Sequence, residues 1–337
     1  MPAKLVFRLP DRDIGRMNKR ELGKSGIVVT AIGLGTWQFS KGKGFIGGFW
    51  KSLDDETTKA VVKAALDGGI DWFDTAEIYG RGNSERSLAA ALCALKIPPL
   101  SVRLATKWWP FLRTAKSIPA TIAERLDCLA PYPIDLYQIH QPFSLSPVAK
   151  QINAMGDLVE AGKVKAVGVS NFSAAAMEEA HSVLAKRGIP LASNQVRISL
   201  LDRSIERNGL LEAAKRLGIA LIAYSPLAQG ILTGRFHDDP GAAGAVTRMR
   251  RMSGSIKPET IAKTAPLVAE LKRVASAHAA APSQVALNWL VSFWGEAVLA
   301  IPGASKPSQA AEAAGAMKFE LTRSELDSID ALSRGMS

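Results

Sequence analysis

The chain has 337 residues, 47% of them hydrophobic, which is enough for a large core; the length suits two domains, but α/β barrels of this size are often one. It carries 42 Lys and Arg against 31 Asp and Glu, a net charge of +11, so an anionic partner has to be considered: nucleic acid, a membrane surface or a charged cofactor. The basic residues are spread along the chain apart from a short cluster at Arg248, Arg250 and Arg251, no basic helix is interleaved with aromatics, and no apolar run reaches the length of a membrane span, so neither nucleic acid nor a membrane is expected as a partner.

Residues 1–17 read as a loose tail that mixes Arg and Lys with Asp11 and Asp13, unlike a transit peptide, and they lack a secretory apolar core. Two short runs, 19–22 and 27–30, flank Gly23-Lys24-Ser25-Gly26 and predict a β-hairpin. Strand-like runs then recur near 31–35, 70–74, 103–107, 135–140, 164–170, 192–196, 220–225 and 298–302, with helix-like segments between them. Apolar residues at helical spacing, each set closed by a glycine, predict helices over 57–67, 151–161 and 207–217. Eight strand–helix units predict a (β/α)8 TIM barrel with an N-terminal β-hairpin as its plug and extra helices near 259–279 and 322–333, the whole of 18–337 forming one domain.

Two stretches resist assignment. Gly42-Lys43-Gly44-Phe45-Ile46-Gly47 matches G-x-G-x-x-G by letter, but it neither follows directly from a strand nor opens an apolar helix, so 38–53 reads as a flexible glycine loop at a substrate mouth. Residues 236–262 hold Pro240, Gly241, Gly244 and Pro258 without a clear element and follow the seventh barrel strand, on the face where barrel active sites lie. The two cysteines, Cys93 and Cys128, fall in helix-like segments and form no C-x-x-C pair; buried free thiols in a reducing, cytoplasmic setting are expected.

The chemistry sits at strand ends. Asp74 closes the run Ile70-Asp71-Trp72-Phe73 and Tyr79 follows in the loop; Lys107 ends Ala105-Thr106; His140 ends Leu136-Tyr137-Gln138-Ile139. Taken singly, each has a bland explanation: a helix cap, a rim aromatic, a solvated lysine, a satisfied core histidine. Four in the same strand-end phase of one repeating pattern instead describe a proton-transfer site. A lysine ammonium beside a phenol is expected to lower its pKa, a carboxylate holds the lysine in place, and a histidine can orient a carbonyl oxygen. The remaining histidines, His181, His237 and His278, have no partners at ligand spacing, and no G-x-S-x-G occurs, so metal-dependent and serine hydrolysis are not expected.

These residues, with Gly69 to Ala76, Tyr79-Gly80, Gly168-Val169-Ser170-Asn171-Phe172, Ser193-Asn194-Gln195 and Ile301-Pro302-Gly303-Ala304-Ser305, resemble the aldo-keto reductase family from about residue 18 to 333. The runs 188–196 and 223–230 are similar to the branch that holds plant pyridoxal reductase, bacterial general reductases and potassium-channel β subunits. The resemblance implies reduction of an aldehyde or ketone by NADPH, with NADH as second choice. It implies Tyr79 as proton donor, Lys107 as its tuner, Asp74 as the lysine's partner and His140 as the orienting group.

The resemblance also places the cofactor. Ser170, Asn171 and Gln195 match the carboxamide positions, with Asp74, Thr36 and Trp37 beside them, and Tyr224 matches the aromatic stacked on the nicotinamide ring. Ser225, Pro226, Leu227, Ala228, Gln229, Gly230 and Arg235 match the pyrophosphate loop, joined by one of Arg248 and Arg250. Ile301, Gly303, Ser305, Lys306, Gln309 and Glu312 match the adenosine end, where Lys306 beside Ser305 suits a 2′-phosphate. Ala313 departs from the family by replacing an asparagine, which removes one amide contact to adenine. The substrate residues implied are Trp37, Tyr79, Trp108 and His140, with Trp109, Phe111 and Phe143 adding to an aromatic mouth for apolar or aromatic carbonyls. The other reading is a cofactor-binding, redox-sensing regulatory subunit with little turnover. The expected partner is a small-molecule carbonyl substrate, a homo-oligomer is compatible with the sequence, and nothing in it sets the oligomeric state.

Overall fold

The computed structural model describes residues 19–44, 47–252 and 256–336. The expected tail at 1–17 and small parts of the 38–53 and 236–262 stretches lie outside them. Strands β1 (Lys19–Glu21) and β2 (Val28–Thr30) pair antiparallel as the predicted hairpin. Eight parallel strands follow in chain order: β3 (Leu34–Gly35), β4 (Trp72–Asp74), β5 (Arg103–Trp108), β6 (Leu136–Ile139), β7 (Ala166–Ser170), β8 (Leu191–Arg197), β9 (Ala220–Tyr224) and β10 (Val298–Ala300). Bridges Ile32–Ala300 and Gly35–Gly303 join the last strand to the first and close the barrel.

Helices α1 (Asp55–Asp67), α2 (Asn83–Ala94), α3 (Ser117–Leu129), α4 (Val148–Glu160), α5 (Ala174–Ala185) and α6 (Leu210–Leu217) connect successive strands from β3 to β9. After β9 come α7 (Arg235–Asp238), α8 (Arg248–Met252), α9 (Pro258–Ala277) and α10 (Pro282–Phe293); α11 (Pro307–Gly315) and α12 (Arg323–Arg334) follow β10. Local chemistry sets the ends: Asp54 accepts from Thr57 N to start α1, and Thr322 and Glu325 cap one another's backbone to start α12. The helix expected from 207 begins at Leu210, because Asn208 Oδ1 takes the Leu210 N–H and Gly209 adopts φ 76°.

The stretch in which no clear element was read holds α7, a 3-10 turn over Pro240–Ala245 and α8, and α9 starts close to where the extra helix was expected. Two further 3-10 turns, Trp37–Ser40 and Gly47–Phe49, occupy the glycine loop after β3, where Gly42 and Gly44 take φ 66° and 79° in a turn rather than a phosphate fingerprint. Of the two cysteines expected buried, Cys128 is, but Cys93 is exposed, because it lies on the solvent face near the end of α2.

Two apolar cores form, one between strands and helices and one inside the barrel. The inner core is Trp72, Ala105, Leu136, Ala166, Ala192, Ala220, Ile222, Leu299 and Ile301, sealed below by Leu22, Ile27 and Val29 of the hairpin. Arg20 fastens that plug by donating to the carbonyls of Val291, Gly295 and Val298. With side chains alternating along a strand, an apolar residue at the barrel floor puts the residue two further on in the next inward layer. Trp72 is thus followed by Asp74, Ala105 by Lys107, and Leu136 by Gln138 and His140.

Candidate active site

Asp74 and Lys107 meet at the centre of that polar layer, 1% and 0% exposed. The Lys107 ammonium donates to Asp74 Oδ1 and, at 2.8 Å, to the Thr75 carbonyl. Asp74 Oδ2 accepts from Gln138 Nε2 at 3.0 Å and Gln195 Nε2 at 2.9 Å. Gln195 reaches this point because the pairing of β7 with β8 shifts register at Val167/Gly168, where the partner jumps from Leu191 to Ser193. Gly168 leaves the room: a Cβ there would lie 2.5 Å from Ser193 Oγ and 3.0 Å from Gln138 Cγ.

Tyr79 lies above the pair. Its ring centroid is 5.3 Å from Lys107 Nζ, stacks on Trp37 at 5.9 Å and meets His140 edge-on at 5.7 Å. Gly80 turns the chain just after it with φ 68°; a Cβ there would meet the Ser40 carbonyl oxygen at 2.3 Å. The His140 backbone N–H donates to the Trp108 carbonyl, and Nδ1 has no hydrogen-bond partner among the described residues. The four expected site residues, Asp74, Tyr79, Lys107 and His140, are therefore brought together.

The electrostatics differ from expectation in one respect. Lys107 was expected to lower the Tyr79 pKa, yet burial, aided by the nearby Asp74 carboxylate, pushes the phenol well above its ordinary range. Burial also lowers the Lys107 ammonium, against the pull of Asp74, and burial together with Lys107 holds His140 well below the usual imidazole range. The site thus keeps a protonated phenol above a neutral imidazole.

From this floor a cleft of about 630 Å³ runs between the loops after β3, β9 and β10. Of the residues expected around a cofactor, Thr36, Trp37, Asp74, Ser170, Asn171, Gln195, Tyr224, Ser225, Pro226, Leu227, Gln229, Gly230, Arg235, Ile301, Gly303, Ser305, Lys306, Gln309 and Glu312 all line it. Ala228 does not; it is buried, and its φ of 47° turns the loop instead. Tyr224 OH donates to Asn171 Oδ1 at 3.0 Å, and Asn171 Nδ2 donates to Ser170 Oγ and the His140 carbonyl, so these side chains are held before any ligand arrives. Gln195, which also lines the cleft, gives its amide donors to Asp74 and Gln138.

The far half of the cleft is built for an anion. Arg235, Arg250 and Lys306 line it, and burial with the nearby Arg235 pushes the Arg250 guanidinium down to about 10. The loop after β9 carries positive φ at Ser225, Ala228, Gln229 and Gly230, backbone of the kind that turns its N–H groups toward an anion. The N-terminus of α11 opens beside Ser305 and Lys306. Of the two arginine candidates, Arg250 lines the cleft, donating to the Gln229 carbonyl and lying 4.7 Å over Trp50, and Arg248 does not. Ala313, the departure from the family, is part of the wall.

The substrate mouth needs one correction. Trp108, expected there, is fully buried: Lys107 points into the barrel, so its neighbour points out, where its Nε1 donates to Ser117 Oγ and Arg113 covers its ring. Trp109 takes the position, edge-on to His140 at 5.2 Å. Phe49 and Trp50 also line the cleft. They were not singled out in the sequence, although an aromatic pair inside a glycine-rich mouth loop was a visible signal.

A sequence profile described as the aldo/keto reductase family matches residues 31–334. An uncharacterised oxidoreductase of Mycobacterium tuberculosis is 36% identical over 309 residues, which cover 89% of this chain and 88% of the relative. The chloroplastic pyridoxal reductase of Arabidopsis thaliana is 31% identical over 311 residues, covering 89% and 82%. An aldo-keto reductase of Klebsiella pneumoniae solved in complex with NADPH superposes with a TM-score of 0.69 at 26% identity, over 93% of this chain and 95% of that one. The chain belongs to the aldo/keto reductase family, as an NAD(P)H-dependent oxidoreductase.

Proposed function

We propose that this enzyme reduces an aldehyde or ketone to an alcohol with NADPH, and that Tyr79 gives the proton. The observation that carries the reading is the buried Asp74–Lys107 pair set directly beneath Tyr79 and His140 at the end of a cleft whose other half is cationic. The cleft fits the dinucleotide on its own terms: side-chain amide and hydroxyl groups near the catalytic floor, an aromatic at Tyr224, strained backbone after β9, and three cations beyond it. Arg235 and Arg250 suit the pyrophosphate, and Lys306 with Ser305 suits a 2′-phosphate, which favours NADPH over NADH.

The nicotinamide, when bound, supplies the hydride. The chain supplies everything else. His140 is neutral, so it can direct one N–H toward the substrate's carbonyl oxygen without placing a second cation next to Lys107. The Tyr79 hydroxyl gives its proton to that oxygen. An alkoxide is far more basic than a phenolate, so the transfer is favourable even from a phenol whose pKa is raised. Lys107, held by Asp74, stabilises the phenolate left behind.

The test is consumption of NADPH and of NADH with a panel of carbonyls: an aromatic aldehyde, pyridoxal, a dicarbonyl and a cyclic ketone. Faster NADPH oxidation with at least one member is expected. Tight NADPH binding with no turnover across the panel would instead favour the redox-sensing, regulatory reading.

A further inference from the structure

Three threonines stand near the ends of neighbouring barrel strands, each beside a residue of the site: Thr36 before Trp37, Thr75 after Asp74 and Thr106 before Lys107. All three are fully buried, and each hydroxyl meets a side chain from the first turn of α2. Thr106 donates to Glu85 Oε1 at 2.6 Å, while Thr36 and Thr75 both meet Ser84.

Ser84, itself fully buried, is the hub. Its Oγ donates to the Thr36 carbonyl at 2.6 Å, accepts from Thr75 Oγ1 at 2.9 Å and lies 3.0 Å from Thr36 Oγ1. A hydroxyl has one proton and two lone pairs, so these three contacts can use all of it. The Ser84 N–H donates to the Tyr79 carbonyl at 3.1 Å. The hydroxyl does not serve its own helix as a cap: α2 starts from Gly82 in the left-handed region, at φ 81°, with no side-chain cap.

Each thing Ser84 holds leads to a reacting group. The Thr75 carbonyl accepts from Lys107 Nζ at 2.8 Å. Thr36 carries Trp37, on which the Tyr79 ring stacks at 5.9 Å. Without the Ser84 oxygen, Thr75 Oγ1 would be left without its acceptor in a fully buried place, a state that costs enough to make the chain shift. The Thr75 carbonyl, and Lys107 with it, would then move relative to the phenol.

We propose that Ser84 is a positioning residue for the reduction: it sets Tyr79 over Lys107 from behind the site. It does not line the cleft, so it acts through its neighbours. The inference rests on the reductase reading above.

The test is the single-turnover rate of NADPH oxidation at saturation with the best carbonyl of the panel, measured with NADPH Kd and Tm. The proteins are the wild type, Ser84→Ala, Thr75→Val, the double variant and Ser87→Ala. Ser87 lies one turn further along α2, is buried, and its Oγ has no hydrogen-bond partner among the described residues, so it controls for loss of a buried serine oxygen from this helix. Ser84→Ala is expected to lower the saturated rate about tenfold and to keep NADPH Kd within about threefold of the wild type, because the reacting groups are misplaced and the cleft is not. Thr75→Val lowers the rate about fivefold, and the double variant is no slower than Ser84→Ala, since both act through one contact. Ser87→Ala leaves the rate unchanged. A Ser84→Ala protein that turns over at the wild-type rate overturns the proposal, even if its Tm falls, because that is the mark of a purely structural hydroxyl. So does a loss confined to NADPH Kd, or single effects that multiply in the double variant. If Ser84→Ala does not fold, Thr75→Val decides, and a wild-type rate in it overturns the proposal. A wild type that oxidises NADPH with no carbonyl removes the reductase reading, and this inference with it.

Discussion

Replacing Lys107 by Met breaks an ion pair that is almost wholly buried. Asp74 would keep only the Gln138 and Gln195 amides, two neutral donors on the same oxygen, and Oδ1 would lose its partner. Removing one member of a buried pair typically costs about 3–5 kcal/mol, and the surviving amides place this case near 3. For a domain of this size that corresponds to a fall in Tm of about 4–5 °C. Asp74→Asn strands the ammonium with the Thr75 carbonyl, but a buried lysine can shed its proton, and burial already lowers this one, so the cost should be smaller and should shrink as pH rises. The double variant Asp74→Asn/Lys107→Met has no charge left to desolvate and should recover about 2 kcal/mol relative to the sum of the singles. Urea unfolding of all four proteins at fixed pH measures the cycle. Additive single effects, or a Lys107→Met protein as stable as the wild type, would refute the claim that Asp74 and Lys107 act as one buried, mutually dependent unit.

Three further outcomes follow from the geometry. Ala313→Asn returns an amide to the cleft wall and should tighten NADPH about fivefold, the worth of one net hydrogen bond of about 1 kcal/mol; titration calorimetry showing no gain would mean that the wall at 313 does not meet the adenine. Arg235→Ala and Arg250→Ala should each weaken NADPH about tenfold and make binding less sensitive to salt, whereas an unchanged Kd for both would take the pyrophosphate away from that loop. His140 is neutral when folded, because burial and Lys107 depress it, while the unfolded chain takes up a proton near pH 6.5. Its contribution is therefore complete above about pH 6.5 and is lost as pH falls below it. Urea midpoints should drop between pH 7 and pH 5.5 by more in the wild type than in His140→Asn; equal drops would place the imidazole elsewhere.

The barrel was legible because its signals are local. Short strand-like runs recurring along the chain marked the strands, and helical spacing closed by Gly68, Gly162 and Gly218 marked three helices. Asp74, Lys107 and His140 stood out because a polar residue at the end of an apolar strand lies one layer above the floor. What escaped depended on phase or on three-dimensional surroundings. Trp108 and Trp109 are adjacent letters, and only the inward direction of Lys107 decides which of them meets His140. Helices α7 and α8 are too short to show a period, so their stretch read as a loop. Arg248 and Arg250 could be separated only once α8 showed which face looks into the cleft. The direction of the Tyr79 pKa was misjudged because proximity to a lysine is visible in sequence motifs and the depth of burial is not.

The central claim is that Tyr79 delivers the proton. Tyr79→Phe removes only the hydroxyl and keeps the ring against Trp37 and His140. With the best aldehyde of the panel, the account predicts NADPH binding within about threefold of the wild type and a kcat lowered at least about a hundredfold, the usual contribution of a general acid. Near-normal kcat in a Tyr79→Phe protein that binds NADPH would contradict it.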